Sequence, residues 1–168
     1  STRTHLQMNP ERFTSDIAQF EVLVTEAHAE QEPKAKADRL VTALKLVVGE
    51  FLPDCYEEPI LALRERVQEK VARARVSLVE ALEKTERYEE AVAEAQILAQ
   101  TSQTEEEGHL YLMRLYATLG HPTLVLQHYE RYTALCKENG YLPQDIEKVR
   151  DTLLQKARRR SLRRVLSG

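Results

Sequence analysis

Histidine and cysteine side chains are the first candidates for chemistry in this sequence. His121 and His128 lie about two helical turns apart on one face of a predicted helix, and Cys136 lies about two turns beyond His128. A zinc site needs three or four ligands that converge on one point. Because these side chains are spread along the helix, the spacing favours ordinary surface or core roles. We therefore predict no metal site and no cofactor.

The other candidate groups also favour structural roles. His28 and His109 lie near apolar positions of predicted helices, where a partly buried, hydrogen-bonded histidine is more common than a catalytic base. Acidic runs at residues 57–58 and 105–107 begin predicted helices, where carboxylates interact favourably with the helix dipole. Paired carboxylates could also support hydrolysis, but the sequence marks no general acid. The sequence also has no phosphate-binding glycine loop, no Gly-x-Ser-x-Gly motif and no His-Glu-x-x-His motif. We therefore expect no catalytic residues and no enzymatic activity.

The strongest charge feature is a basic segment near the end of the sequence. Its positive side chains are Lys156, Arg158, Arg159, Arg160, Arg163 and Arg164. Such a cluster can neutralise DNA phosphates, continue a helix with favourable C-terminal charge, or form a disordered end before a further domain. None of these residues is aromatic, so none offers a platform for base stacking. Direct DNA binding by this segment is therefore the weaker interpretation, and a partner contact remains open.

A repeated pattern predicts the helices that carry these side chains. The tetratricopeptide repeat has a period of about 34 residues, and a shift by that period places Leu78 on Leu112 and Ala91 on Val125. Each copy contains a helix, a short polar turn and a second helix. One such hairpin cannot cover its own apolar face, so copies stack and share a core. The pattern predicts an all-α, tetratricopeptide-like stack of antiparallel hairpins, with about seven helices in a right-handed superhelix.

Helix boundaries follow from apolar periodicity and from capping, proline and glycine signals. The predicted helices run from Ser15 or Asp16 to about Ala29, and over Pro33–Val48, Glu57–Lys84, Tyr88–Ala99, Thr104–Gly120, Pro122–Gly140 and from Pro143 onward. Thr104 and Glu107 have the spacing of a capping box. The apolar connection 49–56 is expected to fold back on the core. We divide the chain into a lead-in from a missing N-terminal domain, a helical domain and a basic tail, at residues 1–15, 16–155 and 156–168.

The length and composition indicate one helical domain with a charged, solvated surface. Charged residues make up 30% of the chain with a net charge of only -3, which is not the profile of a surface devoted to nucleic acid. Cys55 and Cys136 are the only cysteines, too few for a disulfide framework in a chain of this length. No apolar run approaches the roughly 18 residues of a membrane span. We therefore expect a cytoplasmic protein without membrane contact.

An ordered set of short motifs runs along the helices. The motifs are Phe20-Glu21-x-Leu23, Gly49–Pro53, Arg64–Arg66, Glu86–Ala91, His109–Gly120 and Gln127–Glu130. In this order they resemble the bacterial transcriptional activator domain over about residues 13–154. The resemblance implies a tetratricopeptide-like domain that follows an OmpR-like winged-helix DNA-binding domain. It also implies protein contacts, including self-association, neighbouring regulatory domains and the transcription machinery.

The first helix of each pair lines the concave groove of a tetratricopeptide stack. Transferred by register, the groove positions are Arg73, Val76, Glu80, Glu83, Glu107, Leu110, Arg114 and Ala117. These arginines, carboxylates and small apolar residues would suit a peptide or helix of a protein partner. The alternative, that they are solvated helix faces, stays open because repeat proteins use their grooves differently.

Two interpretations of the function follow. The first is a regulatory interaction domain of a bacterial transcriptional activator, which contacts DNA only through a separate winged-helix domain. The alternative is a tetratricopeptide adaptor or scaffold unrelated to transcription. The charged first half of the long third helix also suggests a homodimer contact, in which Glu65, Arg66, Glu69 and Lys70 pair across a two-fold axis.

Overall fold

The computed structural model describes residues 10–47 and 58–168, and every regular element in these ranges is a helix. The helices are α1 Pro10–Ala29, α2 Pro33–Leu46, α3 Glu58–Lys84, α4 Tyr88–Ala99, α5 Glu105–Leu119, α6 Pro122–Glu138 and α7 Ile146–Leu166. The predicted all-α class and seven helices are confirmed for the described part of the chain. None of the helices described is long and apolar enough to cross a membrane.

The chain divides into two compact units, residues 1–78 and 79–168. In the first unit, α1 and α2 pack against each other around buried residues that include Phe20, Ala37 and Leu40. Arg39 on α2 forms ion pairs with Glu26 and Glu30. Apolar burial therefore holds the first hairpin together, and the solvent-exposed ion pairs add little.

In the second unit, α5 packs against α4, α6 and α7. Ala91 on α4 and Val125 on α6, which the repeat aligns, are both fully buried. Gly108 allows a close approach of α4 and α5, because a Cβ there would lie only 2.2 Å from the Ala99 backbone nitrogen. Small residues therefore let the backbones of α4 and α5 meet, as the stacking of hairpins requires.

The turn between α5 and α6 brings α7 close. Gly120 ends α5 with φ of 81°, a left-handed conformation that glycine adopts without steric cost. A Cβ at Gly120 would lie 3.0 Å from the Ser161 backbone nitrogen. Helix α7 thus packs against this turn, and the basic segment predicted as a tail from residue 156 is helical up to Leu166.

Some predicted boundaries are wrong by a few residues. Helix α1 begins at Pro10 instead of Ser15 or Asp16, because proline at the first helical position has a φ suited to the helix. The capping box at Thr104 does not form. Its buried hydroxyl instead donates to the Leu98 carbonyl oxygen at 3.0 Å, which satisfies a group left over at the end of α4. Helix α7 begins at Ile146 instead of Pro143.

Other predictions fall on residues that the structure does not describe. The apolar connection 49–56 with Cys55, and most of the lead-in 1–15, lie outside the described ranges.

The long third helix is continuous from Glu58 to Lys84, as the apolar spacing predicted.

Candidate partner-binding surfaces

Several predicted groove residues pair with each other or with a neighbour inside the chain. Tyr111 on α5 donates to Glu80 on α3 at 2.9 Å, and Arg114 forms an ion pair with Glu83. The Arg114 guanidinium also lies over the Tyr111 ring, 5.0 Å from its centroid. Burial, followed by the hydrogen bond to Glu80, raises the pKa of Tyr111. These side chains therefore link the last turns of α3 to α5.

Two other predicted groove residues are part of the core. Val76 is buried, and Ala117 is fully buried. Ala117 lies in a cluster with Val125 and with Leu154 and Ala157 of α7. The assignment of Ala117 to an open groove is thus wrong, because α7 packs over the face of α5 that a plain two-helix repeat would leave exposed.

The remaining groove positions lie at two different cavities. Arg73 lines a cavity of about 440 Å³ in the first unit, between α1 and α3. Lys70, proposed for a dimer contact, also lines it and forms an ion pair with Glu21 of the same chain. Glu107 and Leu110 line a separate cleft of about 500 Å³ in the second unit. The remaining predicted groove residues therefore line two separate cavities, one in each unit.

The cleft near Glu107 shows contacts of the acidic run 105–107 that the sequence did not reveal. Glu106, in the first turn of α5, accepts hydrogen bonds from Asn139 and Tyr141, which follow α6. The hydrogen bond to Glu106 raises the pKa of Tyr141. Glu105 forms an ion pair with Arg131 of α6 at 2.8 Å. This acidic run therefore ties α5 to α6 in addition to lying at the positive end of a helix dipole.

A histidine pair, with His109 buried and His128 half-buried, also joins α5 to α6. His109 on α5 and His128 on α6 place their Nδ1 atoms 2.9 Å apart. Tyr116 stacks on His128 with ring centroids 5.4 Å apart, and His121 meets Tyr116 edge-on. Burial, and then the charge of His109, lower the pKa of His128 to about 4. Burial also lowers the pKa of His109, while Glu105 acts against this shift.

This arrangement brings His121 and His128 together around Tyr116 but leaves Cys136 elsewhere. The buried Cys136 thiol lies 3.9 Å from a Glu106 carboxylate oxygen. In the described ranges, no three histidine, cysteine, aspartate or glutamate residues are grouped to hold a metal ion. The pairing of His109 with His128 could not be read from spacing, because the two residues belong to different helices.

The basic half of α7, which we define as residues 156–166, has two sides. Lys156 donates to the Thr118 hydroxyl at 2.8 Å and so joins this half to α5. Arg160, Arg163 and Arg164 line a cleft of about 330 Å³ together with Tyr88, Thr118, Leu119 and Ser167. On the other side, Arg158 and Arg159 are exposed. The exposed apolar residues there are Leu162, Val165 and Leu166.

Comparison with known proteins shows which family the chain belongs to. The family model of the bacterial transcriptional activator domain matches residues 15–151. The chain belongs to this family. The resemblance inferred from the ordered motifs is thereby confirmed. The part matched to the activator domain ends within α7, before its basic half. No curated protein and no solved structure matches the chain.

Proposed function

We propose that this domain is a protein-interaction module of a bacterial transcriptional activator and that it catalyses no reaction. Membership in the bacterial transcriptional activator domain family carries the proposal. This membership favours a regulatory role over a tetratricopeptide adaptor unrelated to transcription. In this proposal the domain works in the cytoplasm, and DNA is bound by a separate winged-helix domain.

The described side chains support a binding role. His109 and His128 hydrogen-bond to each other, and Glu106 accepts from two neighbours in the chain. These side chains, of types that serve elsewhere as bases, are therefore engaged in holding α5 and α6 together. Helix α5 packs against α4, α6 and α7, and this packing positions the exposed, charged residues of the basic half of α7.

The proposed partners are a second copy of the chain, a neighbouring regulatory domain or the transcription machinery. Two measurements test this proposal. Sedimentation over a range of concentrations would detect self-association, and titration of the labelled chain with bacterial RNA polymerase holoenzyme would detect binding to the transcription machinery.

We expect at least one of these associations, and no sequence-specific binding of duplex DNA by this chain alone. A chain that stays monomeric and does not bind the polymerase, but binds a specific DNA sequence, would refute the proposal. Hydrolysis of ester or phosphate substrates well above the rate of a heat-denatured sample would refute the non-enzymatic part.

A further inference from the structure

We propose that Asn139 is a site of spontaneous chemical modification, at which the side-chain amide is lost as ammonia when the end of α6 opens. The contact between Asn139 and Glu106 holds this site closed in the folded chain. Conversion to aspartate or isoaspartate loosens the tie between α6 and α5 irreversibly. This inference concerns the chemistry of the chain itself and is independent of the proposed protein-binding function.

The sequence places the groups that this reaction needs next to each other. Asn139 is followed by Gly140, and the attacking group is the main-chain nitrogen of the residue after the asparagine. A side chain on that residue would hinder the attack, whereas glycine has none and is the most flexible residue. The other asparagine, Asn9, precedes Pro10, whose nitrogen carries no hydrogen. Of the asparagines in this chain, Asn139 is therefore the one at which cyclisation is favoured.

The reaction consumes water and releases ammonia, and it needs no oxidant or reductant. The Gly140 nitrogen loses its proton to hydroxide or a buffer base and forms a bond to Cγ of Asn139. The bond from Cγ to the amide nitrogen then breaks, ammonia leaves with a proton from solvent, and a five-membered imide ring remains. Water opens this ring at Cγ to give aspartate. Opening at the main-chain carbon instead gives isoaspartate, in which the chain runs through the side chain.

In the folded chain, the end of α6 is held in a conformation that does not react. Asn139 has φ of -84° and ψ of 3°, and ring closure requires ψ to rotate away from this value. The Gly140 N–H donates to the Lys137 carbonyl oxygen at 3.0 Å. The Tyr141 N–H donates to the Cys136 carbonyl oxygen at 3.0 Å. With Gly140 at φ of 83°, these bonds form the Schellman motif, which must open before the Gly140 nitrogen can attack.

Glu106 restrains the reacting amide. The Asn139 Nδ2 group donates to one Glu106 carboxylate oxygen, and the Tyr141 hydroxyl donates to the other. Hydrogen bonds to a charged acceptor are stronger than those between neutral groups. Glu106 therefore lowers the population of the open conformations in which the Asn139 side chain can meet the Gly140 nitrogen.

Solvent reaches this site once the motif opens. Asn139 and Gly140 are exposed, and no atom beyond the chain neighbours lies within 4 Å of the position that a Cβ on Gly140 would take. Helix ends open by local unfolding more readily than buried helix centres. The modification is therefore slow in the folded chain but not absent.

Either product weakens the contact between the end of α6 and the start of α5. A carboxylate at residue 139 cannot donate to Glu106, and it adds a like charge beside it. It also lies at the negative end of the α6 dipole. Isoaspartate lengthens the main chain by a carbon atom and so disturbs the Schellman hydrogen bonds. We therefore expect a modified chain to be less stable than the original.

Incubation of the full chain in mildly alkaline buffer at physiological temperature tests the site. Mass spectrometry of the tryptic peptide that begins after Lys137 would measure conversion of the amide to an acid, and chromatography would separate aspartate from isoaspartate. The peptide that contains Asn9 is the internal control and should keep its amide. We expect conversion at Asn139 to be at least about tenfold faster in guanidinium chloride, which removes the protecting contacts.

Glu106→Ala should speed conversion in the folded chain about threefold to tenfold, the factor expected for the loss of one hydrogen bond. Glu130→Ala removes the same side chain at an exposed position of α6 and should change the rate less than about twofold. Asn139→Asp should lower the urea midpoint more than Asn139→Ala, because only the aspartate adds a like charge beside Glu106. Circular dichroism would establish that each variant keeps its helices.

Several results would overturn the inference. One is an amide at Asn139 that stays intact in both native buffer and guanidinium chloride. Others are equal conversion rates in the folded and the denatured chain, and equal rates in Glu106→Ala and Glu130→Ala. Equal stability of Asn139→Asp and Asn139→Ala would refute the predicted effect on the contact with α5. If Glu106→Ala does not fold, the denaturant comparison and the two Asn139 variants still decide the outcome.

Discussion

The Nδ1 atoms of His109 and His128 lie 2.9 Å apart, so one ring donates a hydrogen bond to the other. A neutral imidazole has one donor and one acceptor nitrogen, whereas a protonated imidazole has two donors. The pair therefore requires at least one neutral ring. Burial favours this state because it lowers the pKa of both histidines.

The histidine pair makes stability depend on pH. In the unfolded chain the pKa of His128 returns to about 6.5, whereas in the folded chain it is about 4. As the pH falls from about 6.5 toward 4, the unfolded chain takes up protons that the folded chain does not, so stability is lost. Since His128 is only half buried, solvent screening reduces the loss, and we expect about 1–2 kcal/mol.

Urea unfolding at about pH 7 and about pH 4.5 would measure this loss. His128→Gln should lose less stability between the two pH values than the wild type. His28→Gln, which changes an exposed histidine of α1, should behave like the wild type. Equal pH dependence in the wild type and His128→Gln would contradict the assignment.

Gly108→Ala tests the close packing of α4 against α5. Its new methyl group would lie 2.2 Å from the Ala99 nitrogen and 2.6 Å from the Ala99 Cα, so the two helices would have to separate. We expect a destabilisation of about 2–3 kcal/mol, typical of overpacking, despite the higher helix propensity of alanine. Thermal unfolding would measure it, and the exposed Gln127→Ala should change stability by less than about 0.5 kcal/mol. An unchanged midpoint for Gly108→Ala would rule out this contact.

Glu106 and Tyr141 should be energetically coupled. Because the Tyr141 hydroxyl donates to the Glu106 carboxylate, removing either partner also removes the benefit of the other. In a double-mutant cycle of Glu106→Ala and Tyr141→Phe, we expect the two losses of stability to be less than additive. A cycle of Glu130→Ala with Tyr141→Phe serves as the control and should show no coupling. Additive effects in the first cycle would contradict the contact.

The turn between α3 and α4 contains a strained residue. Glu86 has φ of 58°, a left-handed conformation that costs a residue with a side chain about 1 kcal/mol. Glu86→Gly should therefore raise the free energy of unfolding by up to about 1 kcal/mol after the larger backbone entropy of glycine is counted. Ala93→Gly, at an exposed position inside α4, should lower it by about 1 kcal/mol. Destabilisation of similar size in both variants would show that Glu86 is not strained.

Local signals predicted the helices better than they predicted the surface. Apolar spacing and the prolines at positions 33 and 122 mark where α2 and α6 begin. The repeat period also predicted that Ala91 and Val125 take equivalent positions, and both are fully buried. These features depend on residues close in sequence or on one period, so they can be recognised without coordinates.

The candidate surfaces depend on contacts between helices, which the sequence pattern could not supply. Ala117 was assigned to a groove because the register came from a generic repeat, which has no equivalent of α7 covering α5. The His109–His128 and Glu106–Tyr141 contacts join different elements. The basic segment was recognised from charge alone, but only the helix shows which of its arginines line a cleft and which of its apolar residues are exposed.

The most direct test of the central claim is a transcription assay with the chain fused to an unrelated DNA-binding domain. The operator of that domain would be placed upstream of a weak bacterial promoter that controls a reporter gene. The account predicts that the fusion raises reporter expression several-fold over the DNA-binding domain alone, because the attached domain recruits protein partners. Reporter expression no higher than with the DNA-binding domain alone, from a fusion shown to be folded and bound at the operator, would contradict it.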